Sequence, residues 1–223
     1  MSTPDTWTAV DRYLVDTLVD EDATLALARE SADDTTAGHI EVAPNQGAFL
    51  ALLAQMIGAR RILEFGTLAG YSTIWLARAT GVDGHVDTLE LEEQNAEIAR
   101  ANFKRAGVFD RVDVHVAPAA QTAAELIERS VEPYDLVFID ADKPNNPVYL
   151  AAAMELTHPG SVIVIDNVVR NGSVVDAGSE DPSAQGTRAV LAAAAADPRL
   201  SATALQTVGS KGWDGFALLL RVG

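Results

Sequence analysis

The 223-residue chain has no cysteine, which excludes disulfides, thiolate metal sites and cysteine nucleophiles. Basic residues are scarce: 16 Lys and Arg stand against 32 Asp and Glu, a formal charge of −16. Nucleic acid is bound through clustered Lys and Arg. Arg60-Arg61 is an isolated pair rather than a patch, so no nucleic-acid partner is expected. No apolar run reaches the ~20 residues of a membrane span, and the polar start Ser2-Thr3-Pro4-Asp5 is not that of a signal peptide. No membrane partner is expected either, and the expected location is cytoplasmic. The histidines, at 39, 85, 115 and 158, show no metal-ligand spacing and read as loop or strand-end residues. What remains is small-molecule chemistry.

The length suits a single domain spanning 1–223 that can bury a full core. Residues 1–38 read as an acidic helical extension. Val10, Tyr13, Leu14, Thr17 and Leu18 recur at helical spacing and are expected to pack against the rest of the chain, with a second short helix over 23–31. Pro44 suits the first turn of a helix over 45–58, whose expected buried face is Phe49, Leu50, Leu53, Met56 and Ile57. From Arg61 strands alternate with helices. Strands are expected at 61–65, 85–90, 112–116, 134–140 and 161–166, and helices at 71–80, 92–106, 119–130, 146–157 and 185–196. That alternation specifies an α/β fold with a mainly parallel sheet. Two closing strands, near 202–208 and 214–222, flank Gly209-Ser210-Lys211-Gly212 as an antiparallel hairpin on the sheet edge. Residues 167–184 read as a long loop, the usual form of a lid or binding segment. Trp75 reads as core, Trp213 as core or a dimer contact, and Trp7 and Tyr13 as packing residues, with a cover over a substrate mouth the alternative.

The stretch Ile62-Leu63-Glu64-Phe65-Gly66-Thr67-Leu68-Ala69-Gly70-Tyr71-Ser72 carries the first chemical signal. A strand reaches an acid, breaks at two glycines and restarts as a helix, at the strand edge where open α/β sheets bind ligands. It is no dinucleotide fingerprint, because Leu68 occupies the place of the second glycine, and no P-loop, because no Lys follows Gly70. Glu64 would repel phosphate but could hold an ammonium or sulfonium. Glu90, closing the second strand, can accept from both ribose hydroxyls. Together they point to S-adenosylmethionine; the plainer reading is an unliganded turn.

A second signal lies at the ends of two later strands. Asp140 closes one and Asp166-Asn167 the other, all hard oxygen donors suited to Mg²⁺, Ca²⁺ or Mn²⁺. If those strands are neighbours, the three can converge on one cation. The alternative is that they cap turns, which for Asp142 alone stands on equal terms. Lys143, three residues past Asp140, would then sit by the cation as a general base.

Glu64-x-Gly66-Thr67-x-x-Gly70-Tyr71-Ser72, Glu90, Phe138-Ile139-Asp140-Ala141-Asp142-Lys143-Pro144-Asn145 and Asp166-Asn167-Val168 together resemble the cation-dependent O-methyltransferases, the catechol and caffeoyl-CoA O-methyltransferase family with its bacterial members. The resemblance spans about 39–222. It implies a class I methyltransferase fold, a seven-stranded Rossmann-like sheet with helices on both faces and the last strand antiparallel. It implies cofactor contacts from Val42, Glu64, Gly66, Thr67, Gly70, Tyr71, Ser72, Glu90, Leu91, Ala119, Asp140 and Asp142, metal ligands Asp140, Asp166 and Asn167, and Lys143 as the catalytic residue. Ala117 departs from the glycine many relatives carry. The implied reaction moves a methyl group from S-adenosylmethionine to a hydroxyl of a small ortho-dihydroxy aromatic, in a homodimer, with Mg²⁺ the first choice of ion. A nicotinamide-dependent oxidoreductase and an inactive cofactor-binding scaffold are the alternatives.

Overall fold

A computed structural model describes residues 3–223. The chain opens with helices α1 (Pro4–Leu18), α2 (Ala23–Glu30) and α3 (Pro44–Met56). Strands and helices then alternate: β1 (Arg61–Phe65), α4 (Tyr71–Ala79), β2 (His85–Glu90), α5 (Glu93–Ala106), β3 (Val112–Val116), α6 (Ala119–Glu128), β4 (Tyr134–Ile139), α7 (Asn146–Leu156), β5 (Thr157–Asp166) and α8 (Pro182–Ala196). Strands β6 (Leu200–Gly209) and β7 (Gly212–Arg221) close it. The seven strands run in the order β3-β2-β1-β4-β5-β7-β6. By internal packing the described residues divide into two compact units, 12–119 and 3–11 with 120–223, each with buried apolar residues of its own.

In the unit 12–119, β1, β2 and β3 pair in parallel. Leu63 and Phe65 of β1, Ile74 of α4, Leu89 of β2 and Phe103 of α5 are fully buried or nearly so. Helix α2 is capped by Asp22, whose Oδ1 accepts from the backbone N–H groups of Thr24 and Leu25 at 3.1 and 2.9 Å. Two expected faces are corrected. Helix α1 buries no residue: Tyr13 is 67 % and Leu18 77 % exposed, so its apolar stripe faces solvent. Of the five residues expected inside on α3, only Leu50 is buried, with Gly47, Ala51 and Ala54 beside it, whereas Met56 is 82 % exposed. This helix is apolar on most sides, so periodicity does not discriminate. Its small residues admit the close neighbour: a Cβ on Gly47 would run into the Trp75 ring.

In the other unit, β4 and β5 pair in parallel, and β7 lies antiparallel to both β5 and β6. Leu136–Ile139 and Val162–Ile165 are buried throughout, as near-continuous apolar strands require. The hairpin forms as expected, but only β6 is at the edge; β7 is an inner strand. The expected 167–184 loop is shorter. Residues Arg170–Val175 form 3₁₀ turns broken by a kink at Asn171 and Gly172, and α8 starts at Pro182 with Asp181 Oδ1 capping the N–H of Ser183 at 3.0 Å. Among the described residues no helix is long and apolar enough to cross a membrane.

Candidate active site

The glycine turn is built by backbone that few residues adopt. Gly66 and Gly70 have φ of 97° and 80°, and Leu68, between them, takes φ 52°. A non-glycine residue in the left-handed region costs of order 1 kcal/mol and needs support. Support comes from Glu90, whose Oε2 accepts from the N–H groups of Thr67 and Leu68 at 3.2 and 2.8 Å. Its Oε1 accepts from the N–H groups of Leu91 and Glu92, both at 3.0 Å, and from Asn95 Nδ2 at 3.2 Å. A carboxylate has about four lone-pair sites, so this buried side chain is saturated. Ribose hydroxyls would have to displace some of these donors.

Glu64 is fully buried. Its Oε1 accepts from Ser72 Oγ at 2.6 Å, and its Oε2 from Thr88 Oγ1 at 2.7 Å and from Thr73 Oγ1. Thr67 Oγ1 and Thr88 Oγ1 lie 2.7 Å apart. The carboxylate thus ties the end of β1 to the first turn of α4, and its charge stays beneath the turn. Gly70 is required for a second reason: a Cβ there would enter the Phe103 ring. The side of Gly70 where a Cβ would lie faces protein. Tyr71 is buried, its hydroxyl donating to Glu21 Oε1 at 2.6 Å, and burial with that carboxylate pushes the phenol well above its ordinary range. Its side chain is a structural anchor for α2. Val42 is buried, Leu91 exposed and Ala119 half-buried, the last at the first position of α6.

The second group lies in the other unit. Asp140 and Asp166 each follow residues paired across β4 and β5, Ile139 with Ile165, so the neighbouring-strand condition for convergence is met. Strands in such a pair lie about 4.8 Å apart. Asp166 is buried, with Oδ1 accepting from the N–H of Asn167 at 2.9 Å, and Asn167 takes φ 57°, a conformation Asn tolerates well. Lys143 is buried, and its Nζ donates to Asp140 Oδ1 at 2.8 Å. Asp142 is exposed and accepts from Asn145 Nδ2 at 2.7 Å and from the Tyr149 hydroxyl. Burial and that carboxylate raise the Tyr149 phenol.

Two supports were not legible in the sequence. Asp214 Oδ1 accepts from the N–H groups of Val169 and Arg170 at 3.0 and 2.9 Å, fixing the turn after Asn167. Gly186 of α8 lies flat on the Lys143 carbonyl, where a Cβ could not fit. Both act across more than 40 residues of chain, and nothing local marks them.

A family model described as O-methyltransferase matches residues 15–222. The chain belongs to the O-methyltransferase family. It is an enzyme that transfers a methyl group from S-adenosylmethionine to oxygen, which removes the nicotinamide alternative. A catechol O-methyltransferase of Mycobacterium tuberculosis is 52 % identical over 211 residues, 95 % of this chain and 94 % of the relative. The crystal structure of a Bacillus cereus O-methyltransferase in complex with SAH superposes with a TM-score of 0.96 at 50 % identity, covering 98 % of this chain and all of that one. The O-methyltransferase TomG of Streptomyces achromogenes, involved in tomaymycin synthesis and solved with SAM, gives 0.95 at 42 % identity, covering both chains fully.

Proposed function

We propose that this O-methyltransferase acts on a small ortho-dihydroxy aromatic, aided by a divalent cation at Asp140, Asp166 and Asn167, with Lys143 as general base. The observation that carries this reading is the pairing of β4 with β5, which ends two carboxylates on adjacent strands with Lys143 bonded to one of them. Two carboxylates and an amide oxygen are a hard-oxygen set, suited to Mg²⁺ first and to Ca²⁺ or Mn²⁺ next. A cation bound there would supply Lewis-acid polarisation of the acceptor hydroxyls. The name of the Mycobacterium tuberculosis relative supports a catechol-type acceptor.

Asp140 has two tasks in this scheme, since the oxygen set shares its carboxylate with Lys143. Asp140 would hold the cation and also keep Lys143 Nζ beside it, at 2.8 Å. From there the neutral amine of Lys143 would take the proton of the acceptor hydroxyl. Cofactor contacts are proposed for Val42, Glu64, Gly66, Thr67, Gly70, Tyr71, Ser72, Glu90, Leu91, Ala119, Asp140 and Asp142. For Glu64 and Tyr71 the role falls to the surfaces they shape, because their polar atoms are spent on protein partners. A homodimer in the cytoplasm, without nucleic-acid partners, completes the proposal.

Turnover of a catechol, measured with and without EDTA and in Lys143→Ala, tests it. Chelation should abolish activity and added Mg²⁺ restore it. Loss of a general base lowers kcat by about 10²–10⁴-fold, with S-adenosylhomocysteine affinity within about twofold by calorimetry. Full activity in chelator rules out the cation, and full turnover in Lys143→Ala rules out that base.

A further inference from the structure

On the opposite face of β2 from Thr88 and Glu90, two histidines and two aspartates converge. His85 and Asp87 stand two residues apart on one face of that strand, and the parallel register sets Asp87 beside Asp113 and Leu89 beside His115. His85 Nε2 lies 3.2 Å from Asp113 Oδ2 and 3.9 Å from Asp87 Oδ2. One ligand atom from each of these three residues falls within 4.8 Å of the other two. His115 Nε2 is 2.8 Å from Asp87 Oδ1, the oxygen that does not face His85. His85 and His115 lie at or next to strand ends, as read; spacing along the chain did not reveal that pairing two strands brings them together.

Three features favour a bound cation over ion pairs alone. First, the fold sets two carboxylates at directly paired positions, where they repel unless a positive charge lies between them. Second, ligands at 2.0–2.2 Å from a tetrahedral ion are separated by about 3.3–3.6 Å, and the distances from His85 to the two carboxylates bracket that edge. Third, the Asp87 side chain is only 8 % exposed and already oriented by His115, as ligating carboxylates are when a neighbour holds their second oxygen. Asp113, at 68 % exposure, leaves an open side for entry and for water. Arg61 Nη2 approaches Asp87 Oδ2 at 3.7 Å, beyond hydrogen-bond length, and is the group an ion would displace.

We propose that His85, Asp87 and Asp113 bind a borderline divalent transition metal, Zn²⁺ in the first place, with His115 positioning Asp87 and water completing the shell. An imidazole among the ligands selects Zn²⁺, Co²⁺, Ni²⁺ or Cu²⁺ over Mg²⁺ and Ca²⁺. The ion would join β2 to β3 at the start of β2, whereas Glu90 and the glycine turn lie at its far end. It lies in the unit 12–119 and differs in ligand chemistry from the oxygen set proposed for catalysis.

The test uses the full chain titrated with Co²⁺ in excess Mg²⁺, read by the visible d–d absorption of a four-coordinate ion and reversed with Zn²⁺. Saturable binding of one equivalent with that band is expected. His85→Ala should weaken it by more than about 100-fold and His115→Ala by about 10–100-fold, while Asp166→Asn leaves it intact. Asp113→Asn, at an exposed side chain, should also abolish the band and does not depend on whether His85→Ala folds. No saturable Co²⁺ binding, or a band that survives Asp113→Asn and disappears in Asp166→Asn, overturns the proposal.

Discussion

Gly186 sits inside α8, where a side chain could be accommodated only by moving the carbonyl of Lys143 and the Cα of Pro144. A glycine in a helix interior costs about 1 kcal/mol relative to alanine, so Gly186→Ala would stabilise the protein if the position were open. Here overpacking against backbone, typically 1–3 kcal/mol, exceeds that gain. The expected result is a lower melting temperature together with a several-fold loss of turnover, as Lys143 shifts relative to Asp140. An unchanged or higher melting temperature would show that α8 can back away from Lys143. Lys143 and Asp140 were legible because they are three residues apart and their contact at 2.8 Å is local. Gly186 and Asp214 were not, because their partners are fixed by helix packing and by the β5–β7 register rather than by sequence neighbours.

At the scale of elements, the strands were read to within a few residues, since β4 and β5 are continuous apolar runs bounded by polar ends. Burial faces of helices were read less well, because a helix apolar on most sides, such as α3, gives no period to follow. The glycine turn was legible as a turn, but its energetics were not. Gly70→Ala meets two costs: a residue with a side chain at φ 80°, about 1–2 kcal/mol, and collision of its Cβ with the Phe103 ring. Adding Phe103→Leu should recover the collision and leave the backbone cost. The double variant is thus expected to be more stable than Gly70→Ala corrected for Phe103→Leu alone, with a coupling of about 1–2 kcal/mol in a double-mutant cycle from urea unfolding. Strict additivity would mean that the ring does not press on the turn.

At the scale of the molecule, β6 poses a problem that the chain alone does not solve. It is a ten-residue edge strand, Leu200–Gly209, without a single charged residue, and Leu205 and Val208 are exposed along it. Such edges invite pairing with another chain, and proteins normally blunt them with charge, proline or bulges; β6 has neither charge nor proline in its sequence. The apolar stripe of α1 lies in solvent as well, and a partner would bury either surface. The proposed homodimer supplies that partner. Leu205→Lys and Val208→Lys together place two charges on the exposed strand, at positions paired with Phe216 and Trp213 of β7. Light scattering on a sizing column should report a dimer for the unaltered chain and a monomer for the double variant, with the unfolding midpoint of the variant no longer dependent on protein concentration. A variant that remains dimeric would move the interface elsewhere, and an unaltered chain that elutes as a monomer at micromolar concentration would remove the dimer from the proposal.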